Sequence, residues 1–257
     1  MSVHAQRVRG GLAGVVSLAG LAMTCAASAG NTSIPNLSLT AGSGSYSQTF
    51  SGRTAGSSWS NGNGTFGFVG TAEALTDSPI GFTLTWNLLA STRPFIIGNM
   101  VLTNTGTTTQ DFFVDLVLPL SGTISHSYVG ASVSASVTDL NGNGATLSSL
   151  EGDGMFAAIT AFGGPSESRA GTLLTAATLS AGPSASASFL PASFGTPIPS
   201  QLHGPVSENI AVKFRFSLTA GDSAAFTSIF MVEAVPAPGA IAILGLAGLT
   251  ASRRRRR

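Results

Sequence analysis

Short stretches of alternating apolar and polar residues recur between residues 82 and 232, and they limit the possible folds more than any other feature of the chain. Alternation sends successive side chains to opposite faces of a strand. In residues 210–218, five apolar side chains share one face, whereas Lys213 and Arg215 share the other. The same pattern predicts strands at residues 82–86, 95–104, 111–120, 129–138, 173–179 and 226–232.

Between residues 31 and 235 no long segment combines a 3.6-residue period with helix caps, so helices should be short or absent. We therefore predict an all-β body at residues 30–234, an antiparallel β-sandwich or jelly roll. The Asn-Gly pairs in residues 61–64 and 141–144 tolerate positive φ and predict two hairpin tips. Residues 181–205 predict a long loop or an edge crossing within one domain, with a break between subdomains as the alternative.

Charge and cysteine content exclude several classes of protein. Of the 12 basic residues, two lie in the first nine positions and five are the last five, which leaves five against all 11 acidic residues in the body. The body is therefore acidic, and it has no basic stripe with interleaved aromatic residues, so nucleic-acid binding is not expected. The single cysteine excludes a disulfide framework, a thiolate zinc cluster and an iron–sulfur site.

The N-terminus is typical of an export signal. Arg7 and Arg9 precede an apolar run at residues 11–22, and Ala27-Ser28-Ala29 offers the small residues that signal peptidase recognises, so cleavage is predicted before Gly30. A first transmembrane helix is the alternative, but 12 residues reach only about 18 Å of a hydrocarbon core about 30 Å thick. A lipoprotein signal at Cys25 is a further alternative that lacks the usual preceding residues.

The C-terminus has three successive parts. Val235-Pro236-Ala237-Pro238-Gly239 is followed by an uncharged apolar stretch at residues 240–252 and then by five arginines, Arg253, Arg254, Arg255, Arg256 and Arg257. The two prolines keep the chain extended and accessible to an enzyme. A helix of 13 residues spans about 20 Å, so the stretch is a poor permanent anchor, and the arginines hold its end on the cytoplasmic side. A plain tail anchor and a buried apolar helix are the alternatives.

This ending resembles the PEP-CTERM sorting signal of Gram-negative bacteria, which an exosortase recognises. The resemblance covers residues 235–257 and makes Pro236 and Pro238 the motif prolines, with Ala237 in the position usually held by glutamate. It implies transient attachment to the inner membrane, processing at or near the prolines, and delivery to the outer cell surface or the extracellular matrix. A sortase signal has the same order of parts, but no Thr-Gly pair occurs here.

Motifs that carry catalysis are missing. The chain has no G-x-S-x-G elbow, no H-E-x-x-H and no phosphate-binding loop that opens a helix. Two histidines remain after export, His126 and His203, and both are predicted to be surface residues. His126 is adjacent to Ser127, but neighbours on a strand point to opposite faces. No catalytic residue is assigned.

A calcium-loop pattern begins at Asp139. Asp139, Asn141 and Asn143 match the first ligands of D-x-N-x-N-G, but the twelfth position, where a closing Glu is expected, is Leu150 and Glu151 comes one residue late. Glu151 and Asp153 would be further ligands in a different geometry. A plain turn is the alternative. Calcium is the only cofactor that the sequence suggests.

Two other sets of residues are candidates for binding or catalysis. Asp111 and Asp115 share one strand face, either as solvated acids or as a catalytic pair. Four aromatic residues are candidates for sugar stacking: Tyr46, Trp59, Trp86 and Tyr128. Of these, Trp86 is predicted to lie in the core and Trp59 at the surface.

The sequence predicts a non-enzymatic exported protein with a structural or adhesive body. Its expected partners are signal peptidase, an exosortase-like enzyme, the inner membrane in transit and an extracellular polysaccharide. A carbohydrate- or calcium-dependent binding module at the cell surface is the alternative. A hydrolase whose acids are brought together only by the fold is the third hypothesis.

Overall fold

The computed structural model describes residues 34–52, 55–74, 81–150, 154–164 and 167–236. All the regular structure in these ranges is β, which confirms the predicted class. The strands are β1 (Ser38–Ser43), β2 (Tyr46–Ser51), β3 (Ser57–Ser60), β4 (Thr65–Glu73), β5 (Phe82–Ser91), β6 (Phe95–Asn104), β7 (Gln110–Pro119), β8 (Ser127–Thr138), β9 (Ala145–Ser149), β10 (Phe156–Ala161), β11 (Ser168–Leu173), β12 (Thr178–Ala181), β13 (Ser186–Ser188), β14 (Ala192–Phe194), β15 (Gln201–His203), β16 (Asn209–Leu218) and β17 (Ser223–Ala234).

The strands form two antiparallel sheets. The first sheet runs in the order β11-β10-β16-β7-β1-β2, and β9, which also pairs with β12, shares one edge of β16 with β10. The second sheet runs β13-β8-β17-β6-β5-β4-β3, and β14 and β15 also pair with β8. Long strands of both sheets have partners on both sides: β16 pairs with β7 on one side and with β10 and β9 on the other, and β17 lies between β6 and β8.

The two sheets face each other across one hydrophobic core. In β16 the five apolar side chains predicted to share a face are all buried, while Lys213 and Arg215 lie on the opposite face. Phe214 and Phe216 of the first sheet contact Phe226 of the second, with ring centroids 5.0 and 4.9 Å apart. Each buried phenylalanine contributes roughly 2 to 3 kcal/mol by leaving water. This is a sandwich-like arrangement.

One predicted strand is wrong. Residues 173–179 alternate in sequence, but the chain turns between β11 and β12, where Leu174 and Ala176 have φ of 55° and 50°. The two halves pair with different partners, β10 and β9. The alternation there reflects the spacing of leucine and alanine on both sides of a turn, which a pattern of period 2 does not distinguish from a continuous strand.

The two Asn-Gly segments have different roles. Residues 61–64 join the paired strands β3 and β4, so the predicted hairpin tip is confirmed. Residues 141–144 follow β8 of the second sheet and precede β9 of the first, so the second predicted hairpin is wrong. Positive φ at Gly142 and Gly144 suits a crossing between sheets as well as a hairpin.

Residues 181–205 are neither an unpaired loop nor a break in the core. They contain β13, β14 and β15, each of which pairs antiparallel with β8. Together these short strands form an interrupted edge of the second sheet, which agrees with the predicted edge crossing. Irregular residues between the short strands interrupt the ladder, as is common at sheet edges.

Candidate functional site

The carboxylate of Asp139 accepts four backbone hydrogen bonds. Oδ1 accepts from the N–H groups of Asn141 and Gly142 at 3.2 and 3.0 Å, and Oδ2 accepts from those of Gly144 and Ser184 at 3.1 and 2.6 Å. Burial raises the pKa of this carboxyl, but the four N–H donors outweigh burial and lower the pKa to about 2. Asp139 therefore fixes the chain between β8 and β9 and also holds the turn between β12 and β13.

The same end of the molecule contains a group of polar side chains that we call the crossover cluster: Asn104, Asp139, Asn141, Thr219 and Asp222. Here four connections cross between the sheets, from β6 to β7, β8 to β9, β12 to β13 and β16 to β17. The cluster joins these connections by hydrogen bonds, so its first role is to fix how the two sheets meet.

Within the crossover cluster, the side chain of Asn104, like that of Asp139, makes four hydrogen bonds to backbone groups. Its Nδ2 donates to the carbonyls of Thr108, Leu218 and Thr219 at 3.0, 2.9 and 3.2 Å, and its Oδ1 accepts from the N–H of Gly106 at 3.0 Å. Asn104 is fully buried. One side chain therefore connects the end of β16 with the turn after β6.

The rest of the crossover cluster is bonded in the same way. Thr219 Oγ1 donates to Asp222 Oδ2, and the N–H of Leu140 donates to Asp222 Oδ1 at 3.4 Å. Asn141 Nδ2 donates to the carbonyl of Ala220 at 2.8 Å, and Asn141 Oδ1 accepts from the N–H of Asn143 at 3.1 Å. Most polar side-chain atoms of the cluster are thus hydrogen-bonded to backbone groups of the surrounding connections.

This geometry bears on the predicted calcium ligands Asp139, Asn141 and Asn143. The oxygens of Asp139 and Asn141 point at N–H groups, and a cation would have to replace those donors. Among the described residues, no group of three or more His, Cys, Asp or Glu side chains could hold a metal ion. Glu151 and Asp153 lie outside the described residues. Calcium binding stays a prediction.

The two histidines occupy different surroundings. His126 is exposed, as predicted, and the adjacent Ser127 is buried with its hydroxyl donating to the carbonyl of Gly204 at 3.0 Å. His203 was predicted to be a surface residue, but it is half-buried, because β15 lies along β8 and brings Nε2 to 3.4 Å from Thr160 Oγ1. Thr160 Oγ1 also donates to the carbonyl of Ser168 at 3.2 Å.

The Thr160–His203 contact is the nearest approach to a nucleophile–base pair in the described part of the chain. The second ring nitrogen of His203 lies 3.4 Å from the carbonyl of Gly204 rather than from a carboxylate. Thr160 is only 1% exposed, so a substrate has no access to its hydroxyl. The contact has neither the orienting acid nor the access that nucleophilic catalysis requires.

The two acids of β7 are separated rather than brought together. Asp111 is exposed, whereas Asp115 is buried and pairs with Arg215, whose Nη2 lies 2.7 Å from Oδ1 and 3.0 Å from Oδ2. The two acids are four residues apart on one strand, which places them about 13 Å apart. This distance is larger than the separation of the two catalytic carboxylates in glycosidases. Burial raises the pKa of Asp115, and the neighbouring Arg215 opposes the rise.

The outer face of the first sheet is charged and partly covered. Glu167 lies 3.2 Å from Lys213 Nζ and 3.6 Å from Arg169 Nη2. Phe162, after β10, hydrogen-bonds through its backbone to the side chain of Asn209 and lies 5.9 Å from Lys213 Nζ. Beneath these residues a second small hydrophobic group is buried, formed by Ala157, Ile159 and Ala211.

The outer face of the second sheet is different, because its centre carries no charged side chain. Two rows of residues lie in register across strands β5, β6, β17 and β8, and their side chains define what we call the hydroxyl-amide face: Thr85, Val101, Ala225 and Ser136 in one row, and Asn87, Asn99, Thr227 and Ser134 in the other. Five of the eight are exposed. In the described ranges, charged residues adjoin this face at its margins, at Glu73 and Glu233 and at Arg93 in the turn between β5 and β6.

The four candidate aromatic residues are also distributed by the fold. Trp86 is buried in the core and Trp59 is 41% exposed, so both predictions are confirmed. Tyr46 is half-buried, packs against the core and has its ring 6.4 Å from that of Phe82. Tyr128 is half-buried on β8. Of the four, Trp59 is the one with an exposed ring.

The C-terminal motif begins where the strands end. β17 ends at Ala234, the N–H of Val235 donates to the carbonyl of His126 at 2.9 Å, and Pro236 is exposed. Ala237, Pro238, Gly239 and the five arginines, like the signal residues Ala27, Ala29 and Gly30, lie outside the described residues. In the part of the chain that the structure describes, no helix has the length and hydropathy needed to cross a membrane.

No family model matches the chain, and no curated protein is significantly similar to it. The function is therefore inferred from the residues and their surroundings alone.

Proposed function

We propose that this is a non-enzymatic exported protein of the cell envelope or extracellular matrix, sorted and processed by an exosortase-like enzyme, with a structural or adhesive β body. The observation that carries the proposal is the three-part ending at residues 235–257. Motif, apolar stretch and arginines follow one another without a gap, and each part fits one step of membrane retention and cleavage.

The junction with the body supports this proposal. An enzyme that cuts a chain needs an extended and accessible segment. Within the described residues, Val235 makes the last backbone hydrogen bond to the body, and the exposed Pro236 lies one residue further on. Cleavage at or near Pro236 and Pro238 would therefore leave all of β17 paired within the second sheet.

The apolar stretch supports release rather than permanent anchoring. Its 13 residues span about 20 Å as a helix, against about 30 Å of hydrocarbon. The mismatch is relieved by thinning the bilayer or by arginine side chains that reach the headgroups, at a cost that weakens retention. The N-terminal signal, with cleavage before Gly30, would bring the body across the same membrane.

The absence of an enzymatic role is part of the proposal. In the described ranges the candidate groups are occupied in structural contacts: Ser127 by a carbonyl, Asp115 by Arg215, and Asp139 by four N–H groups. An exported binding or structural protein fits these contacts. Activity toward a substrate would require groups that these contacts do not leave available.

Deletion of residues 236–257 tests the proposal in the native host. We expect the shortened protein to bypass processing and to change its location, because the retained intermediate can no longer form. The matched control is Ala237→Glu, which places the usual glutamate between the two prolines and should still be processed. Unchanged size and location of the deletion variant would contradict the proposal.

A further inference from the structure

We propose that the hydroxyl-amide face of the second sheet binds an uncharged polysaccharide, with Trp59 as the stacking residue at one side. The inference names a class of ligand for the adhesive body. It rests on the proposed function only in that the protein would meet this ligand outside the cell. Three features of the molecule support this ligand: the position of the indole, the chemistry of the face beside it, and the distribution of charge.

Trp59 is held flat against the sheet. It is opposite Gly67 in the β3–β4 pair, and the carbons of its six-membered ring occupy the space where a side chain of residue 67 would begin, 2.2 Å from an ideal Cβ. Its Nε1 donates to Asn61 Oδ1 at 3.1 Å. The ring is thus positioned before any ligand arrives, and its outer side is exposed to solvent.

A flat exposed indole is suited to the apolar C–H side of a sugar ring. The negative face of the π system attracts these C–H groups, and the area buried adds a hydrophobic contribution. Because the ring is already fixed by Gly67 and Asn61, little side-chain entropy is lost on binding. Trp59 therefore has the orientation and rigidity of a stacking residue.

The hydroxyl-amide face continues from Trp59 across the sheet. Leu89, Ile97 and Ile229 lie in register with the Trp59–Gly67 pair, and the rows of hydroxyl and amide groups run beside them. Hydroxyls donate and accept, and amides do both at separate atoms, which matches the hydroxyl groups of a sugar chain. Strand spacing of about 4.8 Å makes the face about 24 Å wide from β3 to β8, enough for several sugar rings.

Two shallow depressions lie in this face. One, of about 280 Å³, is lined by side chains that include Thr85, Asn87, Asn99 and Val101. The other, of about 290 Å³, is lined by Ser134, Ser136 and Thr227 among others. Polar groups around a partly apolar surface are the usual lining of a ligand site.

The distribution of charge selects the ligand. Three of the five basic residues of the body, Arg169, Lys213 and Arg215, lie on the outer face of the first sheet, near Asp115 or Glu167. Among the described residues, the rows of the hydroxyl-amide face contain no cation, and Glu73 and Glu233 at its margins repel a polyanion. The exposed Arg93 lies beyond the rows, in the turn between β5 and β6. An uncharged polymer fits this surface best. A second copy of the chain fits less well, since exposed amides and hydroxyls dominate where a dimer would need an apolar core.

The test is gel-retardation of the full-length chain in mild detergent with hydroxyethylcellulose and dextran as uncharged polymers and alginate as the polyanion, together with co-sedimentation on insoluble cellulose. We expect binding to at least one uncharged polymer and none to alginate. Trp59→Ala should weaken that binding about tenfold or more, since aromatic stacking contributes on that scale. Val101→Lys should weaken it similarly by placing a charge in the face.

The matched control is Ser217→Lys, which adds the same charge to the outer face of the first sheet and should change binding less than about twofold. Three results would overturn the inference: no binding to any of the three uncharged polymers, equal binding by Trp59→Ala, or equal losses in both lysine variants. Self-association that Val101→Lys abolishes would also overturn it, because the face would then belong to a second copy. Processing in the host is measured separately, so a protein that is processed but does not bind refutes this inference and leaves the proposed function intact.

Discussion

The crossover cluster and the hydroxyl-amide face contain the same kinds of residue but use them in opposite ways. In the crossover cluster, Asn104 and Asp139 satisfy backbone groups where connections pass between the sheets. On the hydroxyl-amide face, Asn87 and Asn99 lie mid-strand and are exposed, and the Oδ1 of Asn99 accepts a hydrogen bond from the hydroxyl of Thr227 at 2.7 Å, not from a backbone group. The difference shows that the position of an amide along its strand, rather than its chemistry, decides whether it stabilises the fold or remains available to a ligand.

Asparagine-to-alanine substitutions in both regions should give the largest contrast. Asn104→Ala removes three donated hydrogen bonds, of which the one to the Leu218 carbonyl is buried, so it should lower the free energy of unfolding by about 3 kcal/mol. Asn99→Ala, the matched control, should change it by less than about 0.5 kcal/mol. Urea unfolding measures both values, and similar losses in the two variants would remove the distinction between the regions.

The second prediction concerns pH. Because the pKa of Asp139 is lowered to about 2 in the fold from an ordinary 3.8, its stabilisation is fully present above pH 3.8 and is lost as the pH falls through 2. Asp139→Asn should flatten the fall of stability with acid in this range, as thermal unfolding between pH 5 and pH 2 would show.

Asp115 should behave in the opposite sense. Because burial raises the pKa of Asp115, its contribution to the stability of the fold is present below the ordinary pKa and is lost as the pH rises through the pKa of the folded state. The effects of Asp115 and Asp139 on stability can therefore be distinguished by the opposite signs of their pH dependence. An acid-induced loss that is the same in Asp139→Asn as in the parent would show that the four N–H donors do not hold this carboxylate in its charged form.

The third prediction tests the ring of Trp59. Gly67→Ala places a methyl group where the indole lies, and since Trp59 is on an edge strand the ring should move aside at a cost of less than about 1 kcal/mol. Tryptophan emission should shift to longer wavelength, because Trp86 stays buried and Trp59 becomes more exposed. Emission identical to that of the parent would show that the ring does not rest on Gly67.

The smallest expected effect is that of calcium. Since the oxygens of Asp139 and Asn141 are engaged by N–H groups, calorimetric titration of the full chain with calcium should give a flat trace. A saturable signal that disappears in Asp139→Ala would instead support the calcium loop and show that this part of the crossover cluster rearranges around an ion.

Strands were predictable where one face is buried. The pattern of residues 210–218 gave both the strand and the inward side, because a one-residue slip would move every apolar side chain out of the core. The turn at Leu174 and Ala176 was missed, since neither residue is typical of positive φ. The Asn-Gly pairs of residues 141–144 predict a turn but not which strands it joins, because local turn chemistry carries no information about which sheet comes next.

The candidate site was only partly predictable. Trp59 was expected at the surface from its Gly/Ser surroundings, but its contact with Gly67 depends on strand register, which a single sequence does not define. The crossover cluster was missed because Asn104 and Thr219 are far apart in the chain, although an asparagine that ends a strand before Thr-Gly is a usable signal for a capping role. The hydroxyl-amide face could not be predicted, because its residues come from four strands whose order in the sheet a single sequence does not define.

Export and C-terminal processing are both tested by the intact mass of the protein recovered from its native location. We expect a chain that begins at Gly30 and ends near Pro236 or Pro238, without the five terminal arginines, recovered from the cell surface or the medium. A full-length chain with both encoded ends, recovered from the cytosol, would contradict it.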